Sequence, residues 1–229
     1  MPAAAPEPYP SPDTAGRLDK DEHLEAQLGD LRFRALMSDL EWANLPPQIR
    51  RRFSKRLSGG RTIVYVGEVV ETRLSLAGHL LARAARLIGS PFPTSTDCGV
   101  PSVVSVTEDL ANGGQMWTRL YARRAGFPQV IHSSKRFCGP TGLEEHVGAG
   151  VGMTLTLHVE AGALVFRSSR YFLDLPGFRL WLPDVMTPGV LAVTHTELGD
   201  GRFSFTLNVS RPRIGLRIHQ RAVFREIER

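Results

Sequence analysis

From Pro101 to nearly the end of its 229 residues the chain keeps a period of two, and no other feature restricts its fold as much. Met153, Leu155, Leu157 and Val159 alternate with Thr154, Thr156, His158 and Glu160. Phe203, Phe205, Leu207 and Val209 repeat the pattern, as do Ile214, Leu216, Ile218, Ala222 and Phe224 against Arg213, Arg217, His219 and Arg221. Successive side chains of a strand point to opposite faces, so this alternation describes strands with one buried and one wet face. Candidate strands cover 102–109, 115–123, 129–137, 142–147, 152–160, 163–173, 190–198, 202–210 and 214–227. Turn signals such as Asn112-Gly113-Gly114, Ala161-Gly162 and Gly199-Asp200-Gly201 separate several of them.

An antiparallel run this long does not stay flat, because strand twist accumulates and curls the sheet. The expected fold is therefore α+β: a large, strongly curved antiparallel sheet, closed as a barrel or left as a half-barrel. A barrel of about ten strands is wider than its own side chains easily fill, so an apolar cavity plugged by a helix is expected.

The first strand of this sheet is "RTIVYVGEVVETRL", apolar on both faces at its start. Ser75 then caps "LAGHLLARAARLIG", an amphipathic helix over 76–88. Leu76, Leu80, Ala84 and Leu87 form its apolar stripe, Gly78 interrupts it, and Gly89 with Pro91 stops it. Residues 21–57 read as a helical prelude. Leu24, Leu28, Leu31, Ala35 and Leu36 make one stripe, and a second helix restarts at "NLPPQIRRRF" with Asn44 as its cap. Residues 1–20 are Pro/Ala-rich and are expected to be disordered. The remainder, 21–229, reads as a single domain with its sheet over 60–229.

Composition narrows the function classes. Hydrophobic content of 42% and charged content of 22% suit a soluble globular chain. No apolar run reaches the length of an integral membrane segment, and the N-terminus lacks the charged and apolar regions of a signal peptide. Two widely spaced cysteines, Cys98 and Cys138, read as free thiols of a reducing compartment, so a cytoplasmic location is expected. The net charge of +5 is dispersed along the strands. Its densest run, Arg50 to Arg56, comes with no recognised binding motif, so nucleic acid is not expected as a partner.

Few motifs carry chemistry. "GAGVG" at 148–152 lacks the third glycine and the following helix of a dinucleotide loop, and reads as a bulge or kink in the sheet. His158/Glu160 and His195/Glu197 offer two ligands each where zinc takes three or four, so neither metal nor cofactor is expected. Two clusters remain. One is the row Trp117, Arg119, Tyr121 on a single strand face, and the other is "GLEEHVG", with Glu144, Glu145 and His146 together.

Hydrophobicity alone sends Met116 and Leu120 inward and leaves Trp117 outside, stacked with Arg119. Trp nevertheless seeks burial with its N–H satisfied. A helix lying over that face reconciles the two, with Trp117 mostly buried and Arg119 paired to Glu145 or Glu108. Glu145 and His146 read either as an ordinary cross-strand pair on the outside or as an acid–base pair inside a cavity.

The order of "FRALM", "LPPQIRRRF", "GRTIVYVGEV", "LLARAARLIG", "WTRLY", "GLEEHVG", "RYFLDLPGFRLWLPDVMTP" and "DGRFSFTLNVSRPRIGLRIHQ" resembles the bacterial family catalogued as domain of unknown function 4166, from about Leu31 to Phe224. The positions that match its pattern best are Arg61, Tyr65, Gly67, Trp117, Arg119, Gly142, Glu145, Pro183 and Gly215. The resemblance implies no activity. Similar chains occur fused behind NAD(P)-binding domains or joined to membrane segments, which implies a ligand-handling role and, as a partner, an NAD(P)-binding oxidoreductase.

Three functional readings follow. The first is binding of a hydrophobic or lipid-like small molecule in the concave interior, with Trp117, Tyr121, Tyr171 and Phe172 as contact surface and Arg119 and Arg170 orienting a polar head. The second is a cofactor-independent isomerase, cyclase or hydrolase with Glu145 as base and His146 or Arg119 beside it. The third is a basic interaction module.

Overall fold

A computed structural model describes residues 29–57, 59–89 and 91–226, so the tail 1–20 and the leucines at 24 and 28 lie outside the described residues. Eleven strands form one antiparallel sheet: β1 (Ile63–Leu74), β2 (Val100–Asp109), β3 (Gly114–Tyr121), β4 (Gln129–Arg136), β5 (Glu144–Gly148), β6 (Val151–Glu160), β7 (Ala163–Leu175), β8 (Phe178–Trp181), β9 (Val190–Gly199), β10 (Arg202–Arg211) and β11 (Gly215–Glu226). The order is β6-β5-β4-β3-β2-β1-β11-β10-β9-β7-β8, and a further pairing of β6 with β7 closes the ring. The result is a ten-stranded barrel, with β8 hanging outside it from the end of β7.

All the candidate strands are present. Register shifts in β1, β5, β7, β9 and β11 pairings, such as those between Val69 and Glu71 and between Val209 and Ser210, bend the strands around the ring. The sequence reading missed β8. It is four residues long, it follows a Pro176-Gly177 turn, and a strand so short shows no measurable alternation. The stretch "GAGVG" is the β5–β6 hairpin turn, with Ala149 and Gly150 both at positive φ, and the register shifts where it begins, between His146 and Gly148.

Two ends of the barrel are treated differently. At the end marked by Ile63, Glu160 and Gly199, the prelude forms a plug of a 3₁₀ turn (Arg34–Leu36), α1 (Asp39–Ala43) and α2 (Pro47–Phe53). Phe33, Leu45, Ile49, Phe53 and Leu57 are buried there. Ser38 and Glu41 make a reciprocal capping box for α1. The expected cap Asn44 is instead the C-terminal cap of α1, and Pro46 precedes α2 with Pro47 in its first turn. Two prolines pre-set the backbone for helix entry, so no side-chain cap is required. Arg52 pins the plug to β9, pairing with Glu197 at 3.2 Å and lying 2.8 Å from His195 Nε2.

At the other end α3 (Leu76–Ala84) and the 3₁₀ turn Ala85–Ile88 cross the barrel mouth. Ser75 caps α3 through the Gly78 amide, and Gly89 at φ 100° ends the 3₁₀ turn. The helix starts over β11, where a Cβ on Gly78 would stand 2.0 Å from the Arg217 carbonyl oxygen. It finishes against β5, where a Cβ on Gly89 would stand 2.8 Å from the Val147 carbonyl. β11 and β5 lie across the ring from each other, so the segment spans the opening.

This corrects the reading of the helix. Gly78 is the point of close approach and not an interruption. Gly78, Ala82 and Ala85 form the buried face, while Leu76, Leu80 and Leu87 are exposed. Small residues let the helix backbone lie against the strand ends, and that contact turns Leu76, Leu80 and Leu87 outward while Leu81 and Ile88 stay half-buried over the cavity. Among the described residues no helix is long and apolar enough to cross a membrane.

Gly78→Ala is expected to destabilise the protein by about 1–3 kcal/mol, the cost of forcing extra volume into a packed contact. Urea unfolding checks the sign: Ala at a helix-interior position without a close neighbour should stabilise relative to Gly, so a loss in this variant comes from crowding.

Candidate functional site

The interior is filled at the plugged end and open at the mouth. Tyr65, Phe203, Phe205 and Phe224 cluster near the plug: Tyr65 and Phe205 meet Phe203 edge-on at 5.1 and 5.5 Å between ring centroids, and Phe224 stacks on it at 6.0 Å. Above them lies a cavity of about 420 Å³. Its walls are mostly aliphatic or aromatic, among them Ile131, Met153, Leu191, Val193, Leu207 and Ala222. Leu81, Ala85, Ile88, Phe92 and Met186 surround the mouth.

Alternation along three adjacent strands brings one polar group into this space. On β3 the inward row is Trp117, Arg119 and Tyr121, and Met116 faces out. Trp117 is buried by the barrel interior itself and not by a helix laid over an outer face. Its indole N–H donates to Gln115 Oε1 at 3.2 Å, and its ring meets Phe205 edge-on at 6.0 Å.

On β4 the inward row is Ile131, Ser133 and Lys135, and on β5 it is Glu145. Gln115, Lys135 and Glu145 are direct cross-strand neighbours from β3 to β5. Glu145 Oε1 accepts from Ser133 Oγ at 2.6 Å and pairs with Lys135 Nζ at 3.0 Å and Arg119 Nη2 at 3.5 Å. Arg119 also donates to Ser133 Oγ at 3.0 Å. The Lys135 ammonium lies 5.0 Å from the Trp117 ring and 5.5 Å from that of Phe166.

Electrostatics follow from this enclosure. Burial opposes ionisation of Glu145, but Lys135, Arg119 and the Ser133 hydroxyl outweigh it and hold the carboxyl down to about 2. Burial lowers Lys135 from the usual lysine range, with Glu145 pulling the other way. Burial raises Tyr121, and it pushes Tyr171 up to about 12. Tyr171 also lines the cavity, with its hydroxyl 2.9 Å from the Gly189 carbonyl oxygen.

Of the residues singled out in the sequence, Trp117, Arg119, Tyr121, Tyr171 and Glu145 therefore share one cavity. His146, Arg170 and Phe172 do not. A strand cannot present consecutive residues to one face, so Glu145 and Tyr171 pointing inward send their neighbours to the outer wall. There β8 packs beside them, burying Phe172 and leaving Arg170 exposed. Phe172 packs against His146 and Trp181, Arg170 lies 4.2 Å from the Trp181 ring, and His146 Nε2 lies 3.2 Å from buried Glu144. Arg179 of β8 binds both Glu144 and Asp174.

Lys135 and Ser133 escaped the sequence reading. Their signal is the register that puts Lys135 opposite Glu145, which only the paired strands reveal. His195 and Glu197, the other pair with ligand-like spacing, are occupied by Arg52. Burial and Arg52 hold His195 well below the usual histidine range, so it accepts from the guanidinium as a neutral ring. Among the described residues no three His, Cys, Asp or Glu side chains cluster as metal ligands.

The pattern that defines a family described as a domain of unknown function, DUF4166, matches residues 45–224. The chain belongs to that family. The match begins just ahead of α2 and runs through β11, so it takes in every barrel strand and the whole polar group of the cavity. No curated protein and no solved structure matches the chain.

Trp117→Ala is expected to cost about 3–5 kcal/mol in denaturant unfolding, as for large aromatic truncations in cores. The Glu145 pKa gives a second expectation. The folded carboxyl holds its proton less readily than the unfolded chain, whose value lies near 4.5. Its stabilisation is therefore present above about pH 4.5 and lost as pH falls towards 2. Thermal unfolding across that range should show the loss in the wild type and a flatter profile in Glu145→Gln.

Proposed function

We propose that the barrel binds a hydrophobic or lipid-like small molecule in its interior. The observation that carries this reading is the cavity of about 420 Å³, apolar over most of its wall and polar at one place. That combination is the usual form of a small-molecule site, whose apolar surface supplies affinity and whose few polar groups fix orientation. Trp117, Tyr121 and Tyr171 supply aromatic contact, and Arg119, Lys135 and Glu145 meet the polar part of the ligand.

The same geometry weighs against general-base catalysis. A base works best when its pKa lies near the working pH, and Glu145 is held at about 2 by two cations and a hydroxyl. His146, the other half of the acid–base pair considered from sequence, stands on the outer wall beside Glu144.

Delipidated protein should bind a fluorescent fatty-acid probe with micromolar affinity and release it to unlabelled apolar competitors. Ala222→Trp places a large ring on the cavity wall and should weaken the probe about tenfold or more, with the strand signature in circular dichroism retained. A correctly folded wild type that binds no apolar probe overturns the reading.

A further inference from the structure

We propose that the ligand of this cavity is an amphipathic anion, whose carboxylate or equivalent oxyanion seats against Lys135 and Arg119; this rests on the barrel being a binding cavity. The argument is one of charge. Among the residues lining the cavity, Lys135, Arg119 and Glu145 are the ionisable acids and strong bases, two cations against one carboxylate. Their side chains are 5%, 19% and 7% exposed. A buried charge without a counter-charge is costly, and an entering anion removes that imbalance.

Hydrogen bonding points the same way. Glu145 Oε1 already receives Ser133, Lys135 and Arg119. A guanidinium carries five N–H donors and an ammonium three, so most donors of the group remain for a further acceptor. Tyr121, two residues along β3 from Arg119, lines the same cavity. Burial keeps its hydroxyl protonated and therefore a donor. The aromatic faces beside Lys135 offset part of its charge without supplying a hydrogen-bond acceptor of oxyanion strength. A neutral hydroxyl head would accept bonds but leave the positive excess in place, and an amine would add to it. Away from this group, Leu191, Val193, Leu207 and Ala222 offer only apolar surface, which suits a hydrocarbon tail.

The test is competition between three ligands of one chain length, dodecanoic acid, dodecanol and dodecylamine. Each displaces a neutral fluorescent probe from the delipidated wild type at neutral pH. The acid should compete about tenfold more strongly than the alcohol, with the amine weakest. In Lys135→Met the ratio of acid to alcohol should fall to within about threefold. An alcohol that matches or beats the acid in the wild type overturns the anionic head while leaving the binding cavity in place. An unchanged ratio in folded Lys135→Met overturns the placement of the head. If neither the probe nor any of the three binds, the cavity reading falls together with this one. The wild-type series decides the sign of the head group even where Lys135→Met fails to fold.

Discussion

Closure of the ring by β6 on β7 is the constraint from which the rest of the molecule follows. An open sheet would leave two strand edges and could flatten, whereas ten strands joined edge to edge must enclose a volume. That volume exceeds what inward side chains can fill. The chain meets the requirement at one end with bulk: Phe33 and Phe53 from the plug meet Phe166, and Phe53 also meets His195, which stacks on Phe203. Arg52 enters the same dry region and is tolerated because Glu197 neutralises it, His195 accepts its N–H, and the Phe203 ring lies 3.9 Å from its guanidinium. At the other end the inward residues are shorter, with Ala222, Val193 and Val147 among them, and space remains.

Within that space the charged group is itself a product of strand register. Arg119, Ser133, Lys135 and Glu145 come from three consecutive strands, and a slip of one residue in any of them would turn its member outward. Buried ions are costly unless paired, so this group penalises the slipped registers as well as marking the cavity wall. Fold and site are thus specified by the same cross-strand contacts. The low Glu145 pKa belongs to the same argument, because the cations that the register brings together also hold its carboxylate ionised.

Much of this was legible in the chain. Period-two alternation with turn residues between runs located nine strands after Pro101, and their number implied curvature and an interior. Conflicting preferences of Trp117 and Arg119 were also informative. A large aromatic beside a charge on one face pointed to burial of the one and pairing of the other, and Glu145 is the partner found. What escaped depended on partners distant in sequence. Hydrophobicity sent Met116 inward, because a single strand does not reveal which of its faces meets a polar group on its neighbours. Lys135 looked like any surface lysine until Glu145 stood opposite it. His146, Arg170 and Phe172 were grouped with their neighbours by sequence proximity, which strand geometry forbids.

The misread helix exposes a difference between the two ends of the barrel. A helix usually buries its longest apolar residues, and α3 with its 3₁₀ extension instead buries Gly78, Ala82 and Ala85 while Leu76, Leu80 and Leu87 stay exposed. The plug buries Phe33, Leu45, Ile49, Phe53 and Leu57. At about 25 cal/mol per Å² of apolar surface removed from water, five fully buried large side chains stabilise their contact more than a glycine, two alanines and the half-buried Leu81 and Ile88 do. The plug also has the Arg52 pair with Glu197 and the Lys55 pair with Glu226, whereas α3 rests on backbone approach at Gly78 and Gly89. Local opening draws on the regions with least buried apolar contact. Resistance to opening therefore decreases from plug to mouth, and the mouth is the end at which the cavity lies.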